Sequence, residues 1–370
     1  MFSIILSLVI AAGLISGFVL FRRNTIPAPS APVHRTGPPK ETISIIIPAR
    51  NEEHNLPLLL KSLQQQTRKP DEIIVVDDHS VDRTRQIAES YGVKVFTSPE
   101  LPRGWTGKNW ALWNGYQQST GDLLIFLDAD VRLAETAIES LAAERGKQGG
   151  VISAFPYHMT EKFYERFAMI LNMLGVFVFT SPFERKNREK GLFGACIVTT
   201  REDYEKIGGH KSIHAEMLED LNLGASFQRA GIKVTNYIGF GLVSFRMYPD
   251  GIRSVLQGFG KAAILSIAKF QPLTLFFVIL WLIGLIISQC WIFTIGHGPW
   301  LPLLIGYILY AIEIYIINHS IGRFGWIHPA LHVLSTIFFL IVLVYSLYHS
   351  LVRKQVIWKG RYIDVGGKAS

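Results

Sequence analysis

The apolar positions of this chain fall into long uninterrupted runs at its two ends and short repeated runs between them. Residues 3–21 (SIILSLVIAAGLISGFVLF) are apolar and uncharged over a length that crosses a hydrocarbon layer of roughly 30 Å as one helix. From residue 43 the pattern becomes short apolar run, polar turn and amphipathic segment, repeated. These runs predict strands at 44–47, 72–76, 93–97, 122–127 and 151–155. Leu56, Leu59, Leu60 and Leu63, at i, i+3, i+4 and i+7, predict a helix over 53–66. Such alternation predicts an α/β domain with a mostly parallel sheet, whose ligands bind where the strands end. Further runs at 274–294, 300–318 and 328–349 are again long enough to span. Phe167 to Phe179 is short for a span and predicts an interfacial helix or a lid over a lipid site.

The expected organisation is an anchor at 1–22, a Pro-rich linker at 23–42, the α/β domain at 43–245 and an interfacial amphipathic segment at 246–272. Transmembrane helices at 273–350 and a basic tail at 351–370 complete it. A cleaved signal peptide fits the first run poorly, because no Lys or Arg precedes it and Arg22 and Arg23 follow it. The positive-inside rule places those arginines, and the α/β domain after them, in the cytosol of a multi-pass protein of the cell membrane. Four spans would return the carboxyl terminus to the outside, whereas Arg353, Lys354, Lys359 and Arg361 belong inside by the same rule, so two expectations conflict.

Composition changes this picture little. The chain is 49% apolar with a net charge of +8. Its cations are scattered, many beside apolar segments, and no dense basic run interleaves with aromatics; this favours a membrane surface and argues against nucleic acid. Cys196 and Cys290 stand far apart and form neither a disulfide framework nor a metal motif.

The polar strand ends carry the candidate chemistry. After the first strand stand Pro48, Asn51, Glu52 and Glu53, where a base or ribose could dock or where Asn51 could cap a helix. After the second stand Asp77, Asp78, His79 and Ser80; a carboxylate there can accept a hydrogen bond from a pyrimidine N–H, and Ser80 or Asp82 can cap the next helix. The apolar run LLIFL stops at Asp128-Ala129-Asp130, whose two carboxylates can share Mg²⁺ or Mn²⁺ and leave positions for phosphate. In LPRGWTGKNWALWNG, Lys108 can meet a diphosphate, although a surface turn with aromatic packing has the same composition. Glu219 and Asp220 open a helical segment; they are either a general base or ordinary first-turn acids. Arg246 and Arg253 border an interfacial helix, and either could also close over phosphate.

The ordered blocks PARNEE, VVDDHS, GWTGKNWA, LDAD and LED resemble the inverting family 2 glycosyltransferases of GT-A fold, over residues 43 to about 262. GWTGKNWA, with one apolar run before and several after, is similar to the membrane-bound subgroup that glycosylates carotenoid acids and hopanoids. The resemblance implies nucleotide contacts at Pro48, Asn51 or Glu52 and Asp78, metal and diphosphate binding at Asp128 and Asp130, and Asp220 as catalytic base. It also implies transfer of one hexose, glucose, from a UDP-sugar with inversion, to an acceptor such as diaponeurosporenoate. Polyprenyl phosphate and hopanoid are the alternative acceptors. No QxxRW block follows the LED block, which argues against processive polymerisation, and Phe259 stands where related sequences often carry Trp. The reading from another class is a non-catalytic nucleotide-binding scaffold or transporter; Glu313 is the main charge in the late apolar runs, fewer than a substrate pathway needs.

Overall fold

In the computed structural model, the described residues are 2–27, 41–216, 218–262, 269–296, 298–349, 355–358 and 361–364. Most of the Pro-rich linker and of the basic tail lie outside them. The strands are β1 (Ile43–Ala49), β2 (Glu72–Asp77), β3 (Lys94–Thr97), β4 (Leu123–Leu127), β5 (Val131–Leu133), β6 (Val151–Phe155), β7 (Tyr157–Met159), β8 (Cys196–Thr200), β9 (Val234–Ile238), β10 (Val243–Phe245) and β11 (Gly322–Arg323), with β12 (Gln355–Trp358) and β13 (Arg361–Asp364) forming a separate antiparallel pair. The helices are α1 (Phe2–Leu20), α2 (Leu56–Gln64), α3 (Thr84–Ser90), α4 (Gly107–Gln117), α5 (Ala137–Gln148), α6 (Met169–Thr180), α7 (Arg201–Lys206), α8 (Glu219–Arg229), α9 (Ile252–Ala262), α10 (Pro272–Gln289), α11 (Trp300–Ile321) and α12 (His332–Tyr348).

The expected α/β domain is present, and its sheet is mixed but mostly parallel. Seven strands run in the order β3-β2-β1-β4-β8-β6-β9, with β8 antiparallel to both of its neighbours. The sequence reading missed β8 and β9, although CIVTT and VTNYI have the same β-branched composition as the other strands. Strands β1, β4 and β6 are buried almost throughout, which explains why they read as continuous apolar runs rather than alternating ones. Leu56, Leu59, Leu60 and Leu63 pack into the core as their spacing predicted, but the helix begins at Leu56, not at residue 53. Residues 50–55 form an irregular turn that places polar groups at the sheet edge.

Two stitches join this domain to the apolar helices. Ile238 N–H donates to the Asn24 carbonyl at 2.7 Å where α1 ends, and β11, which follows α11, pairs with β7 in a second sheet of order β11-β7-β10-β5. Helices α1, α10 and α11 pack together through small residues. A Cβ on Gly17 would lie 2.1 Å from Glu313 Oε1 and one on Gly13 2.2 Å from the Tyr310 hydroxyl, so both positions demand glycine. Trp281 Nε1 donates to Glu313 Oε2 at 3.0 Å inside this seam.

Four helices are long and apolar enough to cross a membrane: Phe2–Leu20, Phe163–Thr180, Pro272–Thr294 and Trp300–Ile321. The second includes the run expected to be too short, because a 3-10 turn at Phe163–Ala168 continues into α6. Half of it is buried, against 28–33% for the other three. It is an internal layer, with Phe177 edge-on to Trp281 and the Phe179 carbonyl accepting from Asn236 Nδ2. The run at 328–349 yields only the shorter α12, which ends against α9, where Gly260 abuts the Tyr345 ring.

Candidate active site

The carboxyl ends of β1, β2 and β4 share one edge of the sheet, and the predicted polar residues gather there in two groups. The first lies between the β1 and β2 loops. Pro48 is the sixth residue of β1, opposite Val76. Asn51 does not cap a helix. It adopts a left-handed backbone (φ 53°), donates its N–H to the Ser80 hydroxyl at 3.0 Å and accepts on Oδ1 from the Val81 N–H at 2.9 Å. Glu52 N–H donates to Thr84 Oγ1 at 2.7 Å, and Glu52 Oε2 accepts from Asn55 Nδ2. Arg50 donates to the Asp78 carbonyl at 2.7 Å and faces its carboxylate at 3.7 Å, which fixes buried Asp78. Asp82 accepts from the Thr84 N–H at the start of α3, as a capping acid would.

The second group is centred on Lys108. Its helix starts at Gly107, with the Thr106 side chain as cap. The ammonium therefore projects from a first helical turn. It lies 2.8 Å and 3.1 Å from the two oxygens of Asp128 and 3.3 Å from Glu219 Oε1. Burial alone would lower the Lys108 pKa, but Asp128, Glu219 and Asp220 outweigh it and raise it, so the group is a fixed cation.

Glu219 and Asp220 are the first two residues of α8. Asp220 accepts from the Gly194 N–H at 3.2 Å and from the Leu221 N–H at 3.0 Å. A Cβ on Gly194 would lie 3.1 Å from that of Asp220, a tight fit that favours glycine. Burial, then the Glu219 charge, pushes the Asp220 carboxyl up to about 6, against the pull of Lys108. The turn before β8 links both acids, since the Asp128 N–H donates to the Ala195 carbonyl.

Several supporting residues escaped the sequence reading. Asn109 is buried, and its Nδ2 donates to the carbonyls of Ile213, His214 and Glu216 at 3.0–3.3 Å. Thr106 N–H adds a bond to the His214 carbonyl, and Trp105 packs on both Trp110 and His214. The GWTGKNW block is thus largely a clamp on the loop that enters α8. Buried His210 is held neutral, with a pKa of about 3 from burial, and pairs with the Tyr204 hydroxyl at 2.7 Å. Tyr248 has a left-handed backbone (φ 55°) and packs edge-on to Phe259 of α9 at 5.6 Å. Its phenol is pushed up by burial and by the charges of Asp130 and Asp128, so α9 is tethered beside the acids. Arg246 does not point to a phosphate site; it is committed to Glu161 at 2.6 Å and Glu165 at 2.7 Å, while Arg253 is exposed on α9.

Among the described residues, no group of three or more His, Cys, Asp or Glu side chains is arranged to hold a metal. Asp128 and Asp130 supply hard oxygens on one turn, and the Lys108 ammonium on Asp128 demonstrates that this carboxylate accepts a cation in place. The pair suits a divalent ion that takes its remaining ligands from phosphate and water.

A family model described as "Glycosyl transferase family 2" matches residues 44–208. The chain is 35% identical over 366 residues to a 4,4'-diaponeurosporenoate glycosyltransferase of Staphylococcus haemolyticus, covering 95% of this chain and 96% of the relative. It is 31% identical to the protein of the same name in Staphylococcus aureus, covering 98% and 97%. Among solved structures, the mannosyltransferase PcManGT of Pyrobaculum calidifontis, in complex with GDP-Man and Mn²⁺, aligns with a TM-score of 0.53 at 16% identity, covering 95% of this chain and 98% of that one. That likeness concerns the fold.

Proposed function

The chain belongs to glycosyl transferase family 2, with a GT-A-like fold, and from that premise we propose that it moves one glucose from UDP-glucose to a carotenoid acid at the membrane, with inversion. The observation that carries this reading is the contiguity of Asp128, Lys108, Glu219 and Asp220 at one sheet edge. Likeness over nearly the full length to glycosyltransferases named for a carotenoid acid supports the choice of acceptor.

Pro48, Asn51, Glu52 and Asp78 form the edge against which base and ribose dock. Lys108 faces the diphosphate. A divalent ion, Mg²⁺ or Mn²⁺, held by Asp128 and Asp130 would offset charge on the departing diphosphate. The acceptor oxygen forms its bond to the anomeric carbon from the face opposite the leaving group, the bond to UDP breaks, and no covalent sugar intermediate is needed. A hydroxyl acceptor would lose its proton to Asp220, with Glu219 beside it. A carboxylic acid is already ionised near neutral pH, so there Asp220 matters less as a base and would bear only on how the acceptor sits.

Helices α1, α10 and α11 cross the membrane in this reading. Three crossings return β11 to the side of the sheet with which it pairs, and a non-crossing α12 keeps the basic tail on that same cytosolic side. This removes the conflict that four spans created. Helix α9 lies in the interface, and Tyr248 connects it to the acids, a route for an apolar acceptor.

The test offers UDP- and GDP-hexoses, each with a carotenoid acid, a hopanoid and a polyprenyl phosphate, to the detergent-solubilised protein. A one-hexose mass gain on the carotenoid acid from UDP-glucose is expected. Gain on polyprenyl phosphate alone would move the acceptor assignment. Donor binding without any transfer would favour the scaffold reading.

A further inference from the structure

The ammonium of Lys108 covers both oxygens of Asp128, the carboxylate that a divalent ion would share with Asp130. It also reaches Glu219, next to Asp220, so one flexible side chain connects the cation-holding end of the site to its acid pair. The base of that side chain cannot drift. Thr106 caps α4, and Asn109 ties the same turn to three carbonyls of the loop before α8. The helix is thus fixed at both sides of Lys108, while the four-carbon stem lets the charged end turn between partners.

Resting on the nucleotide-sugar reading above, we propose that Lys108 is a positioning residue that competes with the divalent ion for Asp128 and releases it only when a diphosphate arrives to take the ammonium. Two cations cannot occupy the same carboxylate oxygens at bonding distance without repulsion. An ion arriving alone must displace Lys108 towards Glu219 and meets its charge close by. An ion arriving with a diphosphate meets no such opposition, because phosphate oxygens ligate the ion and accept the ammonium together. Ion and donor therefore bind as a coupled pair, each strengthening the other by the same factor. The consequence for the reaction is that Asp128 stays neutralised by one cation or the other throughout, so the acid pair of α8 never faces an uncompensated third carboxylate.

The experiment is Mn²⁺ titration of the full-length, detergent-solubilised protein by calorimetry, with and without saturating UDP, for wild type, Lys108→Met, Lys108→Gln and Lys108→Arg. Without UDP, both neutral variants should bind Mn²⁺ about tenfold tighter than wild type, within the usual range of coupling between sites. With UDP their advantage should vanish, so the tightening that UDP gives wild type is reduced by the same tenfold. Lys108→Arg, which keeps the charge, should behave as wild type. Two neutral variants keep the comparison available if one of them folds poorly, as judged by its thermal melt. Equal tightening with and without UDP would mean only that a positive charge was removed, and would overturn the competition; so would unchanged affinity in the absence of UDP. Failure of the underlying reading looks different, namely no Mn²⁺ binding to wild type even with UDP present.

Discussion

At the ends of β1 and β2, polar side chains of one loop bond the backbone of the other: Ser80 and Thr84 accept from the Asn51 and Glu52 N–H groups, Asn51 accepts from the Val81 N–H, and Arg50 donates to the Asp78 carbonyl. At the end of β4 the arrangement differs, with Asp128, Glu219 and Asp220 set around the single ammonium of Lys108. The first group is hydrogen-bonded within itself and holds two loops in a fixed shape. The second gathers more negative charge than its cation neutralises, the condition in which bringing in further positive charge is favourable. One strand edge thus supplies a rigid platform and, beside it, an electrostatically incomplete centre. In the proposed reading chemistry belongs to the second, and substitutions should separate the two.

The largest effect is expected for Asp128→Asn, which removes the carboxylate common to Lys108 and the divalent ion. Turnover should fall by about 10²–10³ with donor binding weakened, by steady-state kinetics, the scale for loss of one electrostatic group in such a site. Asp220→Asn should separate acceptor classes. With a hydroxyl acceptor the loss is about 10²-fold. With a carotenoid acid it should be less than about tenfold, because no proton has to be removed. The same contrast appears in pH. Since Asp220 is raised to about 6, turnover with the hydroxyl acceptor should drop as pH falls through 6, and with the acid acceptor only when the acceptor itself protonates, nearer the ordinary carboxylate range.

Asn109→Ala comes next. It strips the donor from three carbonyls of the loop before α8, costing about 1–3 kcal/mol in thermal or denaturant unfolding. Glu219 and Asp220 would shift, and turnover should fall about tenfold, inside the roughly 10²-fold that small misplacement can cost. The smallest effect is expected on the platform. Asn51→Ala loses the Oδ1 acceptor of the Val81 N–H and must hold φ 53° without an amide side chain, about 1–2 kcal/mol of stability, with only a few-fold rise in the KM for the donor. If Asn51→Ala instead abolished turnover while the melt was unchanged, the division between platform and centre would collapse.

Much of this edge was legible in the sequence, for a physical reason. Buried strands leave apolar runs, and Pro48, Asp78 and Asp128 stand where those runs stop. Lys108, Asp128 and Glu219 were each marked as candidates in the sequence, but their contact was not, because the start of α4, the end of β4 and the start of α8 meet only in three dimensions. Asn109 looked like an ordinary helical polar residue, and its role depends on carbonyls more than a hundred positions away. Asn51 was weighed as a cap since its composition fits one; only its left-handed backbone separates a loop lock from a helix start. In the apolar helices, length was readable, whereas the share of each helix that faces protein was not. Phe167 to Phe179 therefore looked too short to span, and its helix, Phe163–Thr180, proved long enough and half buried.

The most direct test of the central claim is the anomeric configuration of the product. Wild-type protein, Mn²⁺, UDP-glucose with its α-linked sugar and the carotenoid acid are incubated, and the coupling of the sugar's anomeric proton in the purified ester is read by NMR. A β-linked ester formed by wild type, and formed about 10²–10³ more slowly with Asp128→Asn, is the result a single displacement at this centre predicts. An α-linked ester, or a β-linked one formed as fast when Asp128 is replaced, would contradict it.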